Sequence, residues 1–140
     1  MKIAIIGSRT YTNKTKMKNF MFRLRMEHPE VEIVSGGAKD GADKYAKKYA
    51  LEFKIPYSEF PPQHQPHNMY CVKEAYDYGK PYNVGYYHKR NKDLVKYLGI
   101  NRASLYDTYG DKESLFIRCF ELYKKEQITL VCDIFNKYED

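Results

Sequence analysis

The sequence predicts an α/β fold, with a short parallel sheet in a three-layer domain followed by an α-helical C-terminal segment. Two short apolar runs, at residues 2–6 and 31–34, each end in a glycine-containing turn, as buried strands of a parallel sheet do. Apolar residues at helical spacing follow each run. Successive strand–turn–helix units with right-handed crossovers place the strands parallel and cover the sheet with helices.

The first strand–turn–helix unit begins with the run KIAII at residues 2–6, which stops at Gly7. Thr12 or Asn13 is the expected N-cap of the first helix, and His28-Pro29 should end it. The side chains expected on its inner face are Met17, Phe20, Met21, Leu24 and Met26.

The second unit begins with VEIV at residues 31–34 and should continue as a helix from about Gly41 to Phe53. Ile55 starts a third, weaker strand, whose proline at position 56 fits an outer place in the sheet. The side chains expected on the inner face of the second helix are Ala42, Tyr45, Ala46, Tyr49 and Ala50.

The rest of the chain has a less regular pattern. Residues 61–88 contain several prolines and glycines, which indicates a long functional loop interrupted by a short helix. Helical patterns dominate from Lys89, and Asp111 is the expected cap of a helix through about Glu126. Residues 128–135 are compatible with a returning strand or with the end of a buried helix, because a short apolar run does not reveal its period.

Length and composition are those of a globular protein. At 140 residues, 43% hydrophobic and 30% charged, the chain can form one compact domain and has little room for two. The formal charge of +6 is uneven, because residues 1–97 carry 18 basic and 10 acidic side chains whereas residues 98–140 carry 6 and 8. The basic part of the chain coincides with the two glycine-containing turns.

The cysteines and the apolar runs suggest a compartment. Cys71, Cys119 and Cys132 are odd in number and irregularly spaced, which argues against a disulfide framework and for a reducing environment. No apolar run has the length of a membrane span, and Met1 leads directly into a strand and not into a signal peptide. We therefore expect a cytoplasmic protein with no membrane partner.

The glycine-containing turns predict an anion-binding crevice, because ligands of open parallel sheets bind beyond the carboxyl ends of the strands. Glycines 36, 37 and 41 remove side chains that would keep a phosphate from the backbone, and a helix N-terminus follows. Arg9 can offer a guanidinium fork, and Ser8 and Ser35 can offer hydroxyl groups. Asp43 could stabilise the helix amides or accept from a ribose hydroxyl. Each residue also has a simpler interpretation, as a turn former, a surface arginine or a helix-dipole carboxylate.

Three motifs in order resemble the SLOG superfamily of Rossmann-like nucleotide-binding proteins: GSR after the first strand, SGGAKDGAD after the second, and a later GK with an RN pair. The similarity covers residues 1–97 and is greatest to small stand-alone members, many of them carried by phages. The resemblance implies ligand contacts from Gly7, Ser8, Arg9, Ser35, Gly36, Gly37, Ala38, Gly41, Ala42, Asp43, Gly79, Lys80, Arg90 and Asn91.

The implied ligand is a nucleotide or a nucleotide-derived phosphorylated molecule. Phosphoribohydrolases of the wider superfamily carry a PGGxGTxxE motif, which this chain lacks. The resemblance therefore favours binding over catalysis, with no catalytic residue and no required cofactor. His64, His67 and Cys71 have a spacing that could hold a metal, but an incidental polar loop explains them equally well, and we expect no metal site.

A second resemblance covers residues 93–116, which are similar to the helix-turn-helix of TetR regulators. It implies a DNA-binding alternative in which Asn101, Arg102 and Ser104 face the groove and Tyr106 and Lys112 contact phosphates. The first helix of that bundle would fall where Gly79 and Pro81 break it. Our interpretation is a chimeric chain in which residues 98–140 form a helical, TetR-like tail packed on the same domain.

A third hypothesis needs neither ligand nor DNA. A small phage-type inhibitor or interaction protein could use the same fold as a scaffold for a protein partner. Binding of a partner without any ligand dependence would favour this hypothesis over the other two.

Overall fold

The computed structural model describes residues 1–100 and 110–138, and the chain divides into two units, Met1–Gly99 and Ile100–Asp140. The first unit holds a three-stranded parallel sheet with helices, and the second holds one long helix. This arrangement confirms the predicted α/β fold with a helical C-terminal segment. The predicted packing of residues 98–140 on the first domain stays a prediction.

The sheet consists of three short strands in the order β1-β2-β3, all parallel. Ile33 lies at the centre of the register, opposite Ile3 on one side and Tyr57 on the other. Pro56 lies just before β3, which is an edge strand, and an edge position tolerates a residue that has no N–H donor. The strands are β1 at Lys2–Ala4, β2 at Glu32–Ser35 and β3 at Tyr57–Glu59.

Helix α1, at Lys14–Glu27, covers one face of the sheet and begins at the predicted cap. The side chain of Asn13 accepts from the Lys16 amide at 2.9 Å. Phe20 and Met26 were wrongly placed in the core, since they are 39% and 67% exposed. Met26 is half a helical turn away from the buried stripe, and Phe20 lies at its margin. The buried stripe consists of Met17, Met21 and Leu24.

Helix α2, at Ala42–Glu52, packs beside α1 on that face and buries the predicted alanines and Tyr49. Helix α3, at Gly85–Leu98, covers the opposite face, where Leu94 contacts Val34 and Phe60. The first unit therefore has the three layers that the sequence predicts.

The long loop between β3 and α3 is held by backbone hydrogen bonds. The Gly79 amide donates to the Gln65 carbonyl at 3.1 Å, and the Lys80 amide donates to the Gln63 carbonyl at 3.0 Å. One 3₁₀ turn, at Ala75–Asp77, is the short helix that the sequence predicts in this loop. Helix α3 begins earlier than predicted, because Asn83 accepts from the amide of Gly85 at 2.8 Å and so lets the helix start at a glycine.

Helix α4 runs from Lys112 to Tyr138 in the second unit. Asp111 caps it as predicted, accepting from the Ser114 amide at 2.7 Å. The helix continues past Glu126 because no glycine or proline follows to stop it, so residues 128–135 are helical and not a returning strand. Within the residues that the structure describes, none of the helices is long and apolar enough to span a bilayer.

Candidate functional site

The first glycine turn follows β1 and is closed by its own serine. The Ser8 hydroxyl lies 2.7 Å from that of Thr10 and accepts from the Thr10 amide at 3.1 Å. The Ser8 carbonyl accepts from the amides of Tyr11 and Ala42, each at 3.2 Å. Ser8 therefore shapes the turn and joins it to the start of α2, while the side chain of Arg9 is exposed.

The second glycine turn follows β2 and lies against the first. Gly41 precedes α2 with φ of 73° and ψ of −142°, a backbone conformation that favours glycine. A Cβ atom at Gly41 would overlap the Ser8 carbonyl oxygen, so the absence of a side chain lets the two turns touch. Ser35 is fully buried, and its hydroxyl accepts from the Gly37 amide at 3.1 Å.

Asp43 ties the two turns together. It is 3% exposed, and its carboxylate accepts from the Gly7 amide at 3.4 Å and from the Ala38 amide at 3.2 Å. The sequence offered the amides of its own helix or a ribose hydroxyl as partners. In the structure the carboxylate binds the amides of the two turns, so both turns hold their shape without a ligand.

Arg90, on α3, closes the site from the other side. Its Nη1 atom donates to the carbonyl oxygens of Gly36 at 2.7 Å and Phe60 at 3.3 Å. Its Nε atom donates to the side chain of Asn91 at 2.9 Å. Desolvation by these neighbours lowers the pKa of Arg90, which still leaves the guanidinium charged at neutral pH.

Tyr87 lies one turn before Arg90 on α3 and stands between the two arginines. Its hydroxyl is 3.5 Å from Nη2 of Arg9, and its ring centre is 5.8 Å from the guanidinium carbon of Arg90. The hydrogen bond to Tyr87 is the main cause of a raised pKa for Arg9. One tyrosine therefore contacts an exposed cation through its hydroxyl and a half-buried cation through its ring.

These groups surround a cleft of about 330 Å³ at the carboxyl ends of β1 and β2, which we call the turn cleft. The predicted site residues that line it are Gly7, Arg9, Gly36, Gly37, Ala38, Asp43 and Arg90. The predicted residues that do not line it are Ser8, Ser35, Gly41, Ala42, Gly79, Lys80 and Asn91.

Most predicted residues outside the cleft still support its walls. Ser8, Ser35, Gly41 and Ala42 hold the two turns, as described above, and Asn91 accepts from Arg90. Gly79 and Lys80 form backbone hydrogen bonds to the long loop instead. The GK pair therefore does not reach the turn cleft in this structure.

Several residues that line the turn cleft were not predicted from the sequence. The strongest signal was available for Tyr87, because a residue three positions before Arg90 shares its helix face. Lys39 and Asp40 lie within the predicted glycine turn. Pro62 and Gln65 lie in the long loop, whose sequence has no periodic pattern that would have indicated them. The missed residues are Ile6, Lys39, Asp40, Pro62, Gln65 and Tyr87.

Four backbone amides of the two turns and of the start of α2 already have acceptors within the protein. The amides of Gly7 and Ala38 donate to Asp43, that of Gly37 to Ser35, and that of Ala42 to the Ser8 carbonyl. These four amides are therefore not available to a phosphate in the turn cleft, whereas the guanidinium of Arg9 is exposed.

A larger cleft, of about 640 Å³, lies along α1 between residues 11 and 23. Its walls come from one helix and the chain just after β1, including Tyr11, Phe20 and Arg23. Only the chain after β1 contributes to it from the strand ends, whereas the turns after both β1 and β2 line the turn cleft, where open α/β sheets bind their ligands. We therefore take the smaller turn cleft as the candidate site.

The histidines of the long loop pack on aromatic rings. The ring centre of His64 is 4.8 Å from that of Tyr82, and that of His67 is 5.7 Å from that of Tyr78. The Cys71 sulfur accepts from the Asn68 amide at 3.4 Å. Within residues 1–100 and 110–138, no three His, Cys, Asp or Glu side chains are grouped so as to hold a metal ion.

The residues of the DNA-binding alternative cannot be placed against this site. Asn101, Arg102, Ser104 and Tyr106 lie outside the described residues. Lys112 is the first residue of α4. The helix-turn-helix and the chimeric origin of the chain stay predictions.

Comparison with known proteins relates part of the chain to a protein family. Residues 1–67 match the model of the YspA, cpYpsA-related SLOG family, named YAcAr. The matched segment contains all three strands, both glycine turns and α2. Neither the curated proteins nor the solved structures include a significant match. The family match supports the SLOG superfamily for residues 1–67 of this chain.

Proposed function

We propose that the chain binds a nucleotide or a nucleotide-derived phosphorylated ligand in the turn cleft, without catalysing a reaction on it. The observation that carries this proposal is the convergence of Arg9, Tyr87 and Arg90 at the carboxyl ends of β1 and β2. An aromatic ring flanked by cations suits a ligand that combines a planar base with a phosphate.

The two arginines have different roles in this proposal. Arg90 is engaged with the carbonyl oxygens of Gly36 and Phe60 and so fixes the wall of the turn cleft. Among the residues that the structure describes, Arg9 makes one long hydrogen bond, of 3.5 Å, to Tyr87, which leaves most of its five N–H donors for a ligand. Arg9 is therefore the residue that contacts the phosphate.

The carboxylates of the turn cleft also differ. Asp43 is buried and its oxygens are engaged with backbone amides. Asp40 is exposed and lines the same cleft, which makes it the better acceptor for the hydroxyl groups of a ribose. The volume of about 330 Å³ is within the range of small-molecule sites.

The lining of the turn cleft supports binding more than hydrolysis. Among the described residues that line it, there is no serine, cysteine or histidine to act as a nucleophile or as its base. The PGGxGTxxE motif with its glutamate is absent from the sequence. The turns are already held by internal hydrogen bonds, as in a preorganised binding site.

Calorimetric titration of the full chain with nucleoside mono-, di- and triphosphates tests the proposal. We expect the dissociation constant to rise about ten-fold or more in Arg9→Gln, because the variant loses about one charge-assisted hydrogen bond to the ligand. Arg23→Gln is the matched control, since Arg23 is an exposed arginine on α1 outside the turn cleft. Folded wild-type protein that binds no nucleotide, or an equal loss in both variants, would contradict the proposal.

A further inference from the structure

A second cleft, of about 220 Å³, lies beside the turn cleft. Its walls include three lysines, Lys39 in the glycine turn and Lys44 and Lys47 on α2, and we call it the lysine cleft. Four residues line both clefts and make them neighbours across the glycine turn: Gly37, Ala38, Lys39 and Gln65.

The lysine cleft holds one carboxylate, and that charge is already satisfied. Glu59 is 2% exposed and accepts from the Tyr57 hydroxyl at 2.8 Å and from the amide group of Asn68. It also pairs with Lys47 at 3.4 Å. The Glu59 carboxylate is therefore surrounded by donors and does not oppose an anion at the mouth of the cleft.

The other two lysines are available. Lys39 and Lys44 are exposed, and neither forms an ion pair with a carboxylate in the part of the chain that the structure describes. They are separated by five positions and follow one another from the glycine turn into the first turn of α2. Two ammonium groups without acidic partners form a positive rim on the lysine cleft.

The turn cleft differs from the lysine cleft in its balance of charges. It contains two carboxylates, Asp40 and Asp43, and one of its cations, Arg90, is engaged with backbone carbonyls. One phosphate on Arg9 leaves few free donors there for a second. The neighbouring lysine cleft offers two cations without an ion pair among the described residues: Lys39, which lines both clefts, and Lys44.

We infer that the ligand of the turn cleft carries a di- or triphosphate chain that passes Lys39 and ends in the lysine cleft at Lys44. The inference rests on the proposed function and specifies its ligand as a nucleoside di- or triphosphate rather than a monophosphate. Each added phosphate brings further negative charge and acceptor oxygens to ammonium groups that otherwise face solvent.

The test compares affinities within one set of nucleotides. Calorimetry without magnesium measures binding of a nucleoside monophosphate and the matching triphosphate, and of inorganic tripolyphosphate, to the full chain. We expect the triphosphate to bind about ten-fold tighter than the monophosphate and this ratio to collapse in Lys44→Gln. Lys48→Gln, also an exposed lysine of α2 but outside both clefts, should keep the ratio.

The outcomes separate this inference from the proposed function. Equal affinities for the monophosphate and the triphosphate, or the same ratio in Lys44→Gln and wild type, overturn the inference and leave nucleotide binding in place. If no nucleotide binds to folded protein, the proposed function fails, and the titration with tripolyphosphate then tests the lysine cleft by itself. If tripolyphosphate binds and Lys44→Gln weakens that binding, the result supports an oligophosphate site in the lysine cleft. If tripolyphosphate does not bind, or binds equally well to Lys44→Gln, the inference is overturned.

Discussion

Arg90 donates a hydrogen bond from Nη1 to the Gly36 carbonyl oxygen at 2.7 Å, which joins α3 to the glycine turn after β2. A Cβ atom at Gly36 would overlap the same Nη1 atom. The glycine therefore makes room for the guanidinium as much as for a ligand. Since the guanidinium also donates to Phe60, one side chain holds three segments of the cleft wall.

Replacing this arginine should cost stability. In Arg90→Gln the half-buried carbonyls of Gly36 and Phe60 lose their donor, and we expect the free energy of unfolding to fall by about 1–3 kcal/mol. Urea denaturation followed by circular dichroism measures the change. Arg9→Gln is the control, because Arg9 is exposed and its loss should leave the urea midpoint in place. Equal midpoints for the two variants would refute this role of Arg90.

Asp43→Asn should also destabilise the domain. An amide side chain can accept from the amide of Gly7 or of Ala38, but its NH₂ group then faces the other donor. The expected cost is about 1–3 kcal/mol in urea denaturation. Asp40→Asn, at an exposed position of the same turn, should change little. A stable Asp43→Asn protein would show that the carboxylate does not tie the turns.

Two glycines with positive φ should differ in the cost of replacement by alanine. Gly99 has φ of 71° with nothing within 4 Å of an added Cβ, so Gly99→Ala should cost about 1 kcal/mol. Gly41 combines φ of 73° with ψ of −142°, which other residues adopt more rarely than the left-handed conformation of Gly99, and its Cβ would overlap the Ser8 carbonyl. For both reasons Gly41→Ala should cost at least about 3 kcal/mol. Thermal and urea denaturation measure both. Equal costs would mean that the two glycine turns do not pack as described.

Tyr57 gives the stability a dependence on alkaline pH. Burial is the main cause of its raised pKa, and the Glu59 carboxylate, which accepts from its hydroxyl at 2.8 Å, adds to it. The folded state therefore keeps a proton that the unfolded chain loses at about pH 10. This contribution to stability is complete below about pH 10 and falls by about 1.4 kcal/mol per pH unit above it.

Tyr57→Phe should remove that part of the pH dependence. The difference in unfolding free energy between wild type and Tyr57→Phe should shrink between pH 8 and pH 11, as measured by urea denaturation at each pH. Tyr76→Phe is the control, at a side chain that is 79% exposed. A difference that stays constant over this range would contradict the buried position of the Tyr57 hydroxyl.

The fold could be predicted largely because its signals are local. A glycine turn follows each of β1 and β2, and Asn13 and Asp111 cap their helices where the sequence places them. The burial of Met26 was wrong because helical spacing alone does not define how wide the buried stripe is. Residues 128–135 needed the structure, since an apolar run has no period of its own.

The site could be predicted only in part because its residues meet through tertiary contacts. The sequence suggested Arg9 and Arg90, but nothing local shows that Tyr87 stands between them. The sequence suggested the amides of its own helix or a ribose hydroxyl as partners of Asp43, whereas its contact with the Gly7 amide joins residues 36 positions apart. In the lysine cleft, the Glu59 carboxylate is bonded by side chains from three segments of the chain. The spacing of these residues in the sequence does not predict that they meet.

Mapping of backbone amide shifts by NMR tests the central claim most directly. Titration of a nucleoside triphosphate into labelled protein should shift the amides of Gly7, Gly37, Ala38 and Tyr87, which surround the turn cleft. The amides of residues 13–23 along the larger cleft on α1 should stay in place. Shifts confined to residues 13–23, or no shifts at saturating nucleotide, would contradict a nucleotide site in the turn cleft.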